Sequence, residues 1–365
     1  MNQFLPYFIA LTKIDHIGPV LAKQLIAYCG GPKEVFEKSK KELAEIPSIG
    51  PKVASAIVQV DPLISSKNEI AFIQQNQIQA IDFLDDAYPR RLKNFDDSPI
   101  LLYYSGNVNL NHHRMVGIVG TRKPTEYGVI MAENIVEGLS NYDPVIVSGM
   151  AYGIDSIVHR KSVEMGIPTI GILGHGLDRI YPYTNRDLSK KMLQNGGLLT
   201  EFPSGTNPDR ENFPMRNRII AALSDAVLVV ESKVRGGSII TTEFANQYNK
   251  DVFAIPGKIS DENSAGCNRL IKTHKAYLAE AAKDIAYIMR WEEMDTKRNT
   301  QTTLFPELGK EEMVILDAIR EAKEITIDRL HYKVKKPLSE LASLLLTLEF
   351  KGIIKSLPGK KYRLL

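Results

Sequence analysis

Residues 211–221, Glu-Asn-Phe213-Pro-Met-Arg216-Asn217-Arg218-Ile-Ile-Ala, place two guanidinium groups and a carboxamide beside an aromatic ring. Earlier in the chain, Val116-Gly-Ile-Val-Gly120-Thr121-Arg122 ends an apolar run in a glycine, a hydroxyl and a fixed cation, with a helix expected to start near Pro124. Glycine lets the backbone approach an anion, arginine grips it in a fork, and a helix N-terminus adds its dipole. The expected chemistry is the holding of a phosphate. A proline followed by Arg216 and Arg218 reads as a helix start with cations in its first turn, where the dipole disfavours them. A bound anion would offset that repulsion. Phe213 offers a face on which any base can stack, worth about 1–3 kcal/mol; the plainer alternative makes it a core residue and pairs one arginine with Glu201.

Other turns add to the same track. Ser148-Gly149-Met-Ala-Tyr-Gly-Ile-Asp155 puts small residues after a second apolar run, and Arg210 closes the loop before Phe213. Lys233, Arg235, Gly237 and Ser238 precede a further helical pattern and would close the track from the far side. Asp155 and His159 lie four apart and would share a helix face, but two ligands are too few for a metal, and an Asp near a helix start more often stabilises the dipole. His175, between glycines, could stack on a base or fill a turn. The first turn lacks the G-x-G-x-x-G spacing of dinucleotide binders, and no G-x-x-x-x-G-K-[ST], G-x-S-x-G or H-E-x-x-H occurs. No catalytic residue, cofactor or metal site is expected.

These turns need strands to hold them. Met115–Val119, Val145–Ser148, Thr169–Leu173, Leu198–Phe202, Ala226–Glu231 and Asp251–Ile255 are short apolar runs, each followed by Gly, Ser or Pro and a helical pattern. Buried strands spaced by helices imply a mostly parallel sheet covered on both faces, an extended Rossmann-like, doubly wound α/β fold. That domain is assigned to residues 68–290, with the Ile100–Tyr104 run extending its sheet. Residues 1–67 repeat Ile-Asp-His-Ile-Gly18-Pro and Ile-Pro-Ser-Ile-Gly50-Pro-Lys52, each a turn through glycine between helices. This is a helix-hairpin-helix pattern, in which Gly18, Gly50 and Lys52 could meet a DNA backbone. Residues 291–309 are polar and aperiodic and read as a linker. Residues 310–365 read as three helices and a Pro-Gly hairpin, a winged helix whose third helix carries a neutral-to-acidic outer face that disfavours phosphate.

Composition agrees with a protein of ordinary cores. The 365 residues are 44% hydrophobic and 24% charged with a net charge of +3, so any basic footprint must be local. Cys29 and Cys267 lie far apart with no CxxC spacing, which supports neither a disulfide framework nor a zinc site. With no signal-like start and no long apolar run, a cytoplasmic protein without membrane contact is expected.

Taken together, Gly120-Thr-Arg122, Ser148-Gly-Met-Ala-Tyr-Gly-Ile-Asp155, Gly174-His-Gly-Leu-Asp-Arg-Ile-Tyr-Pro182, Phe213-Pro-Met-Arg-Asn-Arg218, Gly237-Ser-Ile-Ile-Thr-Thr242 and Gly266-Cys-Asn-Arg-Leu-Ile271 resemble the DNA-processing protein A (DprA/Smf) family. Thr121 stands where that family usually has serine, and Met150 where leucine is common. The resemblance implies a non-enzymatic single-stranded DNA-binding protein of natural transformation that protects incoming strands and loads the RecA recombinase. It also implies a homodimer formed through the Rossmann-like domain, near residues 251–285. An enzymatic alternative stays open: Gly236-Gly-Ser-Ile-Ile-Thr-Thr-Glu243 partly resembles the Gly-Gly-x-Gly-Thr-x-x-Glu motif of nucleotide phosphoribohydrolases, with Ile239 and Ile240 in place of its third glycine and threonine.

Overall fold

The computed structural model describes residues 2–293, 309–322, 324–350, 353–357 and 359–364, so most of the expected linker lies outside the described residues. Two compact units are present, Met1–Met294 and Asp295–Leu365. In the first, nine strands form one sheet: β1 (Gln79–Asp82), β2 (Leu101–Gly106), β3 (Met115–Gly120), β4 (Val145–Gly149), β5 (Thr169–Ile172), β6 (Gly196–Thr200), β7 (Ala226–Val230), β8 (Asp251–Ala254) and β9 (Tyr277–Leu278). Their order is β1-β2-β6-β5-β4-β3-β7-β8-β9. Strands β6 through β9 run parallel, while β2 pairs antiparallel with β6 and β1 antiparallel with β2.

The alternation along β3 explains why both faces are covered. Val116 and Ile118 join a core with helices Glu126–Leu139, Ile154–Glu164 and Ala282–Met289, whereas Met115 and Val119 join a core with helices Asn212–Leu223, Gly237–Gln247 and Ala265–Lys272. The chain order reverses between β3 and β7. In such a sheet the crevice outside the carboxyl ends of those two strands is where ligands sit. Strand β6 opens at Gly196, two residues before the apolar run that announces it. Gly197 lies against the Tyr104 ring, which a Cβ there would strike.

The expected domain boundary at residue 67 falls inside helix Pro62–Gln75, whose Ile73 packs in the N-terminal helical core with Phe8, Ile9 and Leu101. Both helix-hairpin-helix turns are present, but their sharp bend lies elsewhere than expected. His16 and Ser48 take the left-handed conformation, φ 69° and 68°. Gly18 and Gly50 are extended helix N-caps, each followed by a proline. An added Cβ on either glycine would meet nothing within 4 Å, so nothing inside the chain demands glycine there. Lys52 is exposed. Lys23 instead binds the sheet domain, donating to the Phe95 and Asp96 carbonyls and to Ser98 Oγ at 3.1, 3.0 and 2.6 Å.

The second unit contains helices Lys310–Ala322, Ile327–Val334 and Leu338–Phe350 and a small sheet of β10 (Ile325–Thr326), β11 (Ile354–Leu357) and β12 (Lys361–Leu364), ordered β10-β12-β11. Its core joins Ile315, Ile319, Leu330, Leu341, Leu345 and Leu348. This is the winged helix the spacing predicts, with Ser339, Glu340, Ser343 and Thr347 exposed on its third helix.

Candidate functional site

A cavity of about 380 Å³ opens at the β3/β7 reversal, lined by Thr121 and Arg122 after β3, Lys233 and Arg235 after β7, and Phe213, Arg216 and Asn217 from the neighbouring helix. Gly120 permits the close packing behind it, because a Cβ there would run into the Val230 carbonyl and Ile154. Thr121 is fixed by its N–H donating to the Glu231 carbonyl at 2.8 Å and its carbonyl accepting from Ile154 at 3.1 Å. Arg122 is exposed, with its guanidinium carbon 5.5 Å from the Phe213 ring centre.

The two helix starts beside the cavity differ. The first begins at Glu126, later than expected, and is closed by the protein's own groups. Thr125 Oγ1 accepts from the Gly128 N–H at 3.3 Å, and the Thr125 N–H and hydroxyl both donate to the buried Glu231 carboxylate, the N–H at 2.8 Å. Glu231 is itself in the left-handed region at φ 54°, and glycine at 128 leaves room for its carboxylate. Helix Gly237–Gln247 is the open one, with no side-chain cap on Gly236 and no acid in its first turn. Gly236, Gly237 and Ser238 line the cavity. Ser238 is held from behind by its hydroxyl donating to Ser232 Oγ at 2.8 Å.

Arg216 supplies the charge at the cavity's base. It is 4% exposed, and its Nε and Nη1 are buried without a hydrogen-bond partner. Asp155 Oδ2 lies 3.8 Å from Nη1, a distance that attracts but does not satisfy a donor. Glycine at 149 is required for this arrangement, since a Cβ would overlap the guanidinium. Burial pushes the Asp155 carboxyl up and the Arg216 guanidinium down from their ordinary ranges, and each charge partly opposes the shift of the other. His159 does not pair with Asp155. It is a core imidazole bonded to Gly149 O and Thr169 Oγ1, both at 2.7 Å, and burial lowers its pKa to about 4.

Three expectations for this region need correction. Helix Asn212–Leu223 starts at Asn212, so Arg216 and Arg218 stand past its first turn and defy no dipole rule. Pro214 falls within the first turn, where a missing N–H costs no helical bond. Arg218 leaves the helix on another side and is buried against Glu201, its Nη2 donating to Oε2. It does not line the cavity. Burial pushes the Glu201 carboxyl up, against the pull of Arg218. Ser148 is also withdrawn, its hydroxyl donating to the Ile118 carbonyl at 2.6 Å inside the sheet. Of the remaining residues, Arg210 is exposed outside the cavity lining, Asn217 donates to the Gly237 carbonyl at 3.4 Å, and Lys233 reaches Glu262 at 2.7 Å. Glu243 lies outside this cavity, on a separate cleft with Ile239 and Thr242.

Sequence reasoning missed the aromatic neighbour of this site. A smaller cavity of about 60 Å³ shares Ala151, Arg122, Phe213 and Arg216, and its further walls include Tyr152, His175, Tyr181 and Pro182 beside the apolar Met150, Ile172 and Leu173. The Tyr181 and Phe213 rings are 6.2 Å apart. Tyr152 and Tyr181 are 50% and 45% exposed, so they are large apolar faces left open beside a cationic cavity. Their separation in the chain hides them; only a search for aromatic residues in the strand-end turns could have found them.

The family model for DNA recombination-mediator protein A matches residues 79–290, that for the SAM-like helix-hairpin-helix tandem residues 8–60, and that for the DprA winged helix domain residues 300–360. Protein Smf of Synechocystis sp. is 37% identical over 279 residues, covering 74% of this chain and 69% of the relative. DNA processing protein DprA of Streptococcus pneumoniae is 41% identical over 206 residues, covering 56% and 72%. The solved structure of DNA processing protein A from Streptococcus pneumoniae aligns at TM-score 0.67 and 32% identity, covering 80% of this chain and 99% of that one. DNA processing protein A from Helicobacter pylori, solved to describe its single-stranded DNA binding mode, aligns at 0.54 and 28%, covering 59% and 98%.

Proposed function

The chain belongs to the DNA recombination-mediator protein A (DprA/Smf) family, and from that premise we propose that it processes DNA by binding single strands at the β3/β7 cavity. The observation that carries this reading is Arg216. A buried guanidinium with two nitrogens unpartnered is costly, and a backbone phosphate in the cavity that Arg216 lines would offset its charge. The open helix start at Gly237 favours the same anion. The adjoining Phe213–Tyr181 cavity takes a base face, which a single strand can present and a stacked duplex cannot. Phosphate and stacking contacts read no sequence, so binding is sequence-independent.

The family resemblance extends the proposal to natural transformation: protection of incoming strands, loading of RecA and action as a cytoplasmic homodimer. No helix among the described residues is long and apolar enough to cross a membrane. In this reading the protein is not an enzyme, and incubation with nucleoside monophosphates should release no free base. Gel shifts with single- and double-stranded DNA of one sequence, with and without ATP, test the core of the proposal. Strong single-strand preference without nucleotide is expected, and equal affinity for both forms would sink it. RecA filament formation on coated single strands, with and without the protein, tests the loading role.

A further inference from the structure

We propose that His112, His113 and Asp143 form a surface site for one divalent cation of the zinc class, at the opposite end of the sheet from the β3/β7 cavity. His112 and His113 precede β3, and Asp143 precedes β4, the adjacent parallel strand. Both imidazoles turn Nε2 toward the same carboxylate oxygen, Asp143 Oδ2, at 3.5 Å for His112 and 3.7 Å for His113. One ligand atom from each residue lies within 4.8 Å of the others.

These spacings are long for hydrogen bonds. They are close to the distance between neighbouring ligands of a tetrahedral zinc, about 3.3 Å for bonds of about 2.0–2.1 Å. Small rotations of two side chains would complete the geometry. Two imidazoles and one carboxylate are a borderline donor set, suited to zinc or its neighbours rather than to magnesium or calcium. His112 Nδ1 stands 3.2 Å from the Arg114 carbonyl and, at the longer distance of 3.4 Å, from the Arg114 N–H, so the ring can take either tautomer and the carbonyl is the nearer partner. A proton donated there leaves the Nε2 lone pair directed at the site, the usual support for a metal-bound histidine.

The adjacent guanidinium is directed away from the site. Arg114 donates to the carbonyls of Tyr142 and Glu292 at 2.6 and 3.1 Å and lies over the Trp291 ring, so its charge is engaged away from the cluster. Asp143 holds a left-handed backbone, φ 48°, that brings its carboxylate to the paired histidines. The site is open to solvent on the His113 side, 60% exposed, which leaves a fourth position for water. An ion here would cross-link the segment entering β3 to the turn entering β4.

Chelator-treated full-length protein titrated with zinc chloride alone is expected to take up one zinc per chain with a rise in unfolding temperature. Cobalt(II) in its place should give the visible absorption of a tetrahedral nitrogen–oxygen site. His113→Ala changes an exposed ring, and Asp143→Asn keeps a residue that tolerates the left-handed backbone. Each should weaken uptake by at least about tenfold and remove the temperature rise. No uptake by the parent protein, or uptake unchanged in both variants, overturns the proposal.

Discussion

Arg216 and Arg218 leave one helix two residues apart and are equally buried, each 4% exposed, yet they meet opposite fates. Arg218 donates directly to one oxygen of the Glu201 carboxylate, whose other oxygen is buried without a partner. Arg216 has an acid near enough to attract it but too far to bond it, and it lines a cavity on its remaining side. A buried cation that is satisfied holds the fold together; one left short of partners can still take a ligand, the role proposed for Arg216. Burial alone therefore does not separate structural from functional arginines. The count of unmet donors does.

Substitutions can break or sharpen this contrast. Arg218→Ala should have the largest effect, about 3–5 kcal/mol of stability, because it strands the Glu201 charge in the interior. Denaturant melts would show it, and a loss no larger than that of Arg216→Ala would erase the distinction drawn between the two. His159, beneath the Arg216 site, gives the next largest effect. Its folded pKa of about 4 lies below the ordinary 6.5, so the unfolded chain binds the extra proton between those values. Stability should fall as pH drops from about 6.5 to about 4, by on the order of 3 kcal/mol. Acid melts of His159→Gln should lack that component.

Arg216→Ala should cost about 1.5–3 kcal/mol of single-strand affinity, the range for a hydrogen bond to a charged group. The accompanying loss of stability should be smaller than for Arg218→Ala, because Arg216 stands 3.8 Å from Asp155 and gives up no hydrogen bond to it. Unchanged affinity in fluorescence titrations would place the bound phosphate elsewhere. Arg122→Ala, at an exposed cation over Phe213, should act least. It should weaken all sequences alike, lower the salt slope by about 0.7 and leave the melting temperature unmoved.

Much of the fold was legible because buried parallel strands announce themselves as short apolar runs, and all six between Met115 and Ile255 are present with small shifts at their ends. The four-residue β1 and two-residue β9 were not, being too short at the sheet's edges for any periodicity. The site was half legible. Gly120, Thr121, Arg122, Phe213, Arg216, Lys233 and Arg235 converge on one cavity as their strand-end positions imply. The sequence could show that Arg216 and Arg218 diverge, since residues two apart on a helix point to different sides, and it offered Glu201 as a partner for one of them; only the structure shows that this one is Arg218. His112, His113 and Asp143 could not have been joined, because their meeting depends on the pairing of β3 with β4.

Glu231 has a consequence for how a strand would lie in the crevice. Its carboxylate occupies the mouth of the Glu126–Leu139 helix, so that doorway is shut by a resident anion while the Gly237 doorway stands open. An incoming nucleotide would then meet an asymmetric berth, its phosphate favoured on the Gly237 side and its base toward Phe213 and Tyr181. On the proposed single-strand reading, that asymmetry would orient each bound nucleotide, and it traces to one acid on an unusual backbone.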